Sequence, residues 1–133
     1  MVLSWNEIKS RAVAFSAEWA NTSSEDADAK PFLDAFFDVF GISRKRVSTF
    51  EHKVKKLGEK DGYIDLLWKG MILVEMKSLG KDLDKALQQA KDYCYGLPES
   101  ELPQCILVCD FRRFRLVNFQ LRKLFRTRGA TRP

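Results

Sequence analysis

Two apolar runs that meet at a Lys69-Gly70 turn constrain this 133-residue chain more than any other feature. From Gly62 to Lys77 the order is Gly-Tyr-Ile-Asp-Leu-Leu-Trp-Lys-Gly-Met-Ile-Leu-Val-Glu-Met-Lys, and Val, Ile, Leu, Tyr and Trp fill both arms as buried strands require. Asp65, Glu75 and Lys77 are the exceptions, three charged side chains in a segment built for a sheet interior. Side chains alternate across a sheet, so Glu75 and Lys77 share a face. Whether Asp65 joins them depends on the turn. A three-residue loop centred on Gly70 sets 69 opposite 71 and 65 opposite 75, and it suits the tolerance of glycine for the left-handed conformation. A two-residue loop shifts the register and separates the charges.

Two adjacent carboxylates repel each other and are costly to desolvate, a conflict that a cation between them relieves. Mg²⁺ prefers oxygen ligands and keeps several waters, which leaves room for phosphate oxygens, and Mn²⁺ can take its place. Such a metal lowers the pKa of a bound water and offsets charge on a phosphodiester under attack, while a lysine can orient the nucleophile or stabilise developing charge. Phosphodiester hydrolysis is the chemistry these three residue types fit.

The pattern Asp65-x9-Glu75-x-Lys77 resembles the metal site of the PD-(D/E)XK nucleases, and Gln89-Ala-Lys-Asp-Tyr93 is similar to the Gln-x-x-x-Tyr element of their RecB-like members. The flanks narrow the resemblance: Leu3-Ser-Trp-Asn-Glu-Ile8, Phe32-Leu-Asp-Ala-Phe-Phe-Asp-Val-Phe-Gly-Ile-Ser-Arg-Lys-Arg46, Glu75-Met-Lys-Ser78, Gly80-Lys-Asp-Leu-Asp-Lys-Ala86 and Leu107-Val-Cys-Asp-Phe111. Together with the hairpin they resemble the amino-terminal nuclease domain of type IIL restriction-modification enzymes of the MmeI kind. The resemblance implies an α/β, restriction-endonuclease-like fold: a central mixed sheet of about five strands flanked by helices, with an extra N-terminal helix. It implies a Mg²⁺-dependent DNA endonuclease whose catalytic residues are Asp65, Glu75, Lys77, Gln89 and Tyr93. The metal ligands it implies are Asp65, Glu75 and the backbone carbonyl of Met76, with Asp34 as a further candidate. Alternatives on the same fold are a non-catalytic DNA-binding or docking module and a repair nuclease or junction resolvase.

The expected domain covers residues 1–119, followed by a basic tail over 120–133. Full-length enzymes of the type continue into a methyltransferase, which binds AdoMet, and a target-recognition region. Neither an AdoMet loop nor a methyltransferase motif occurs in this sequence, which reads as an excised domain or a truncated reading frame. The expected partner is therefore double-stranded DNA, held weakly through its phosphates without sequence preference, and the expected cutting by the domain alone is slow or undetectable. The other expected partners are the missing regions and, since cutting both strands takes two sites, a second copy in a transient dimer on DNA.

Lysine and arginine outnumber aspartate and glutamate by 23 to 18, and the resulting +5 is compatible with a polyanionic partner. Basic residues cluster at Arg44-Lys-Arg46, at Lys53 with Lys55-Lys56, and at Arg112-Arg113 with Arg115; only those near the carboxylates would serve binding. No apolar run reaches the ~20 residues that cross a bilayer and no signal-peptide pattern opens the chain, so a soluble, cytoplasmic protein is expected. Cys94, Cys105 and Cys109 lack paired spacing, and with His52 alone to join them a zinc site is not expected.

Periodicity predicts the remaining elements. Trp5, Ile8, Ala12, Phe15 and Trp19 mark the packing stripe of a helix over 4–20, started by a Ser4-Trp-Asn-Glu7 capping box. A polar stretch over 21–30, a linker or a short helical turn capped by Thr22 or Ser24, leads to a helix beginning at Pro31 and stopped by Gly41. Strands are expected over 47–54, 104–109 and 113–119, and a helix over 82–95 that carries Gln89 and Tyr93.

Overall fold

The computed structural model describes residues 3–23, 25–43, 49–55 and 61–119. The expected tail over 120–133 and the basic cluster at 44–46 lie outside these residues. Helix α1 (Trp5–Glu18) starts where Ser4 Oγ accepts the Glu7 N–H at 3.2 Å, an N-cap as the sequence requires. Of its stripe, Ile8, Ala12, Phe15 and Trp19 are half-buried, but Trp5 is 75% exposed. The packing role expected of Trp5 is thus corrected. An outermost helix that rests on α2 buries only part of its surface, and α1 contributes no fully buried residue.

Helix α2 (Glu25–Val39) begins at Glu25 rather than at Pro31, which lies inside it. Proline there deletes the bond to the carbonyl of Ala27, and since Ala27 and Pro31 are both on the exposed side, water can take that carbonyl. Asp, Ala and Lys across 26–30 then carry one continuous helix where a linker or a separate short helical turn was expected.

Strands β1 (Thr49–Lys55), β2 (Asp61–Trp68) and β3 (Ile72–Met76) run antiparallel in succession. Helix α3 (Leu83–Cys94) crosses over to β4 (Cys105–Cys109), which lies parallel to β3, and β5 (Phe114–Asn118) returns antiparallel to β4. The strands form one mixed sheet in the order β1-β2-β3-β4-β5. Among the described residues the chain is thus an α/β domain with helices on both faces of a sheet.

Strand alternation sorts the apolar side chains into two cores. On one face Leu67, Leu73, Ile106 and Val108 meet Leu83, Ala86, Ala90 and Cys94 of α3. On the other, Leu66, Val74, Met76, Leu107 and Cys109 meet Phe32, Leu33 and Phe37 of α2. Phe32 is fully buried at the centre of an aromatic cluster, with ring centroids 5.0 Å from Phe15, 5.5 Å from Trp19 and 4.8 Å from Phe111. Each face of β3 is therefore covered, and any charge on it is forced into the interior.

Candidate functional site

The hairpin pairs Trp68 with Ile72, Leu67 with Leu73 and Leu66 with Val74. Its loop is therefore Lys69, Gly70 and Met71, and the same register carried on sets Asp65 against Glu75. Gly70 has φ +76°, and nothing lies within 4 Å of where a Cβ would stand. Backbone conformation, not crowding, is what calls for glycine there. The Gly70 N–H donates to the Glu101 carbonyl at 3.3 Å and Gln104 Nε2 donates to the Gly70 carbonyl at 3.1 Å, so the loop is seated against the entry to β4.

Beyond the last paired positions, Asp65 Oδ2 accepts the Met76 N–H at 2.7 Å. A side chain thus replaces a strand carbonyl, and it holds the Asp65 carboxylate beside Glu75. Glu75 itself is only 3% exposed. Burial pushes its carboxyl up, and the neighbouring Asp65 charge pushes the same way. Lys77 opposes both without cancelling them, so the pKa rises from the ordinary 4.5 to about 9. Among the described residues Glu75 Oε1 is buried with no hydrogen-bond partner.

Lys77 closes the other side. Its Nζ lies 3.4 Å from Glu75 Oε2 and donates to Gln89 Oε1 at 2.8 Å. Gln89 Nε2 in turn donates to Tyr93 Oη at 2.6 Å, one helical turn along α3. Asp82 starts that helix by accepting the N–H groups of Asp84 and Lys85, which aims the Gln89 and Tyr93 face at the sheet. Asp65, Glu75, Lys77, Gln89 and Tyr93 are therefore brought together in one connected group. Asp34 is not part of it: α2 packs on the opposite face of the sheet, and among the described residues no three His, Cys, Asp or Glu side chains gather as a metal cluster.

Lys77 and Gln89 also line an open cleft of about 380 Å³ whose other walls are Lys81, Asp82 and Lys85. Sequence reasoning passed over Lys81 and Lys85. For Lys85 the signal was its four-residue step to Gln89 on α3, whereas Lys81 precedes the Asp82 cap and is brought to the cleft by the link before the helix. Three lysines against the one Asp82 carboxylate leave the cleft lining net positive, a setting for an anion.

A hard divalent cation fits what these residues present. Two carboxylates that disfavour each other's charge, one of them with a buried and unpartnered oxygen, have the donor chemistry of an oxygen-liganded ion, and the cation would offset the desolvation that holds Glu75 protonated. Cys94 and Cys109 belong to the core instead, where burial raises each thiol to about 12. No helix among the described residues is long and apolar enough to cross a membrane.

No curated protein matches the chain, and no solved structure matches it. A family model described as the N-terminal domain of MmeI matches residues 10–128, which span the hairpin, the carboxylate pair, α3 and the lysine cleft. The chain belongs to the MmeI N-terminal domain family.

Proposed function

We propose that this restriction-enzyme-related domain is a metal-dependent DNA endonuclease with the PD-(D/E)XK fold, its core sheet of about five strands, acting in the cytoplasm. The observation that carries the proposal is the adjacency of the Asp65–Glu75 pair and Lys77 to a cleft lined by lysines. Asp65, Glu75 and the Met76 carbonyl would hold Mg²⁺, or Mn²⁺ in its place. When bound, the ion supplies Lewis-acid activation of water and offsets charge on the phosphodiester.

The chain's own residues do the rest. Lys77, held between Glu75 and Gln89, presents a cation where negative charge develops on the phosphate. Gln89 accepts from the Lys77 ammonium and itself donates to Tyr93, which holds the lysine toward Glu75. Lys81 and Lys85 bind the DNA backbone as it leaves the site, a contact that carries no sequence information. Site choice would come from methyltransferase and target-recognition regions, and AdoMet from the former; cutting both strands would take a second copy on the DNA.

Calorimetric titration of Mn²⁺ into the purified chain tests the site. Saturable binding is expected in the wild type and its loss in Glu75→Gln, both checked for folding. Lys77→Ala should keep the metal and lower cleavage by a factor on the order of 10². A folded wild type that binds no metal would overturn the proposal, as would a Lys77→Ala variant that cleaves at the wild-type rate.

A further inference from the structure

Asp110 is fully buried at the turn between β4 and β5. A turn aspartate ordinarily caps its own loop, and Oδ1 does so by accepting the N–H groups of Arg112 at 3.2 Å and Arg113 at 2.7 Å. Oδ2 does something else. It accepts the Gly80 N–H at 3.2 Å, and it pairs with Arg113, whose Nε and Nη2 both lie 2.8 Å away. Arg113 Nη2 also donates to the Lys81 carbonyl at 2.8 Å. One buried carboxylate and its arginine thus grip both Gly80 and Lys81, just beyond the neighbouring ends of β3 and β4.

The gripped stretch is the link between β3 and α3. At its start the Lys77 N–H is fixed to the Cys109 carbonyl at 2.8 Å, next to Asp110, and midway the Leu79 N–H is fixed to the Ser23 carbonyl at 2.9 Å. Lys77 and Lys81, at its two ends, both line the cleft. The link turns at Gly80, φ +86°, where the Lys81 N–H donates to the Ser78 carbonyl at 3.2 Å, and Asp110 with Arg113 holds that turn from outside. The left-handed Phe111, φ +77°, is the strained neighbour this arrangement tolerates. Hydrogen bonds from Arg113, Gly80 and Arg112 outweigh the effect of burial and hold the Asp110 carboxyl below its ordinary range, so the grip stays charged at neutral pH.

We infer that Asp110 is a positioning residue for the cleft: through Gly80 and Arg113 it sets where Lys81 stands against the DNA phosphates. This rests on the cleft being the phosphate site proposed above. The test is a double-mutant cycle of Asp110→Asn with Lys81→Ala in the purified chain, read as the salt dependence of binding to a double-stranded oligonucleotide. Hydrogen exchange at the Gly80 amide is the second readout. Lys81→Ala should lower the salt slope by about one, Asp110→Asn should lower it by the same amount, and the double variant by no more. Gly80 exchange should rise about fivefold in Asp110→Asn. Additive slopes, or unchanged Gly80 exchange, overturn the inference. If the wild type binds no oligonucleotide, the phosphate cleft itself fails, and the grip stands or falls on Gly80 exchange alone. Should Asp110→Asn not fold, Arg113→Gln, a change at a half-exposed side chain, carries the same cycle.

Discussion

Stability of the metal-free chain should fall as pH rises, and Glu75 should be the cause. Its folded pKa of about 9 exceeds the ordinary 4.5. A carboxyl raised in this way keeps its proton in the folded state and loses it on unfolding, so the unfolded state binds fewer protons. The stability that Glu75 contributes is complete below pH 4.5 and is lost progressively up to pH 9. Each pH unit in that window removes about 1.4 kcal/mol, so pH 5.5 to 8.5 removes about 4 kcal/mol, or roughly 15 °C in Tm for a chain of this size. Thermal unfolding across that range should show the trend in wild type, and Glu75→Gln, which has no proton to lose, should lack it. Adding Mg²⁺ at a hundred times its Kd should restore about 2.7 kcal/mol, with the largest gain at high pH, where the cation no longer competes with a proton. A wild-type profile parallel to that of Glu75→Gln would refute the reasoning, because burial beside Asp65 would then not be controlling the proton.

Other parts of the molecule give independent tests. Gly70→Ala should cost about 1 kcal/mol in urea unfolding, since alanine must adopt φ +76° although space is free, and Gly70→Asn should cost less; equal stability for all three would show the loop does not need that conformation. Tyr93→Phe removes the acceptor of Gln89 Nε2 at a nearly buried position and should cost about 1 kcal/mol, again by urea unfolding. An unchanged midpoint would mean the Gln89 amide is satisfied without it. Toward thiol reagents Cys105, partly exposed, should react well before Cys94 and Cys109, whose burial raises both thiols to about 12; peptide mapping that finds Cys109 modified first would contradict the core packing.

Local chemistry made much of this protein legible in its residues. The β2 and β3 arms follow from their Val, Ile, Leu and Trp content, α1 from the Ser4 cap and α3 from its apolar spacing, because strand and helix preferences act over a few neighbours. The candidate site was legible for a related reason: Asp65, Glu75 and Lys77 are the charges an apolar hairpin has no other use for. What stayed hidden depends on parts of the chain far apart in sequence. The start of α2 turned on whether Pro31 would face water, and the exposure of Trp5 on how little of α1 its neighbour covers. The three-residue loop and the two-residue loop both fit the sequence; the pairing of Trp68 with Ile72 shows the three-residue one, seated against Glu101 and Gln104. The raised pKa of Glu75 needs β3 covered on both faces, the lysine cleft needs α3 laid beside Lys77, and the grip of Asp110 on Gly80 joins residues thirty positions apart. The chain by itself determined which charged side chains the hairpin carries and which elements bear them. Only the tertiary structure decided their protonation, their spacing and what holds them, because desolvation and electrostatic fields are summed over everything packed around a group.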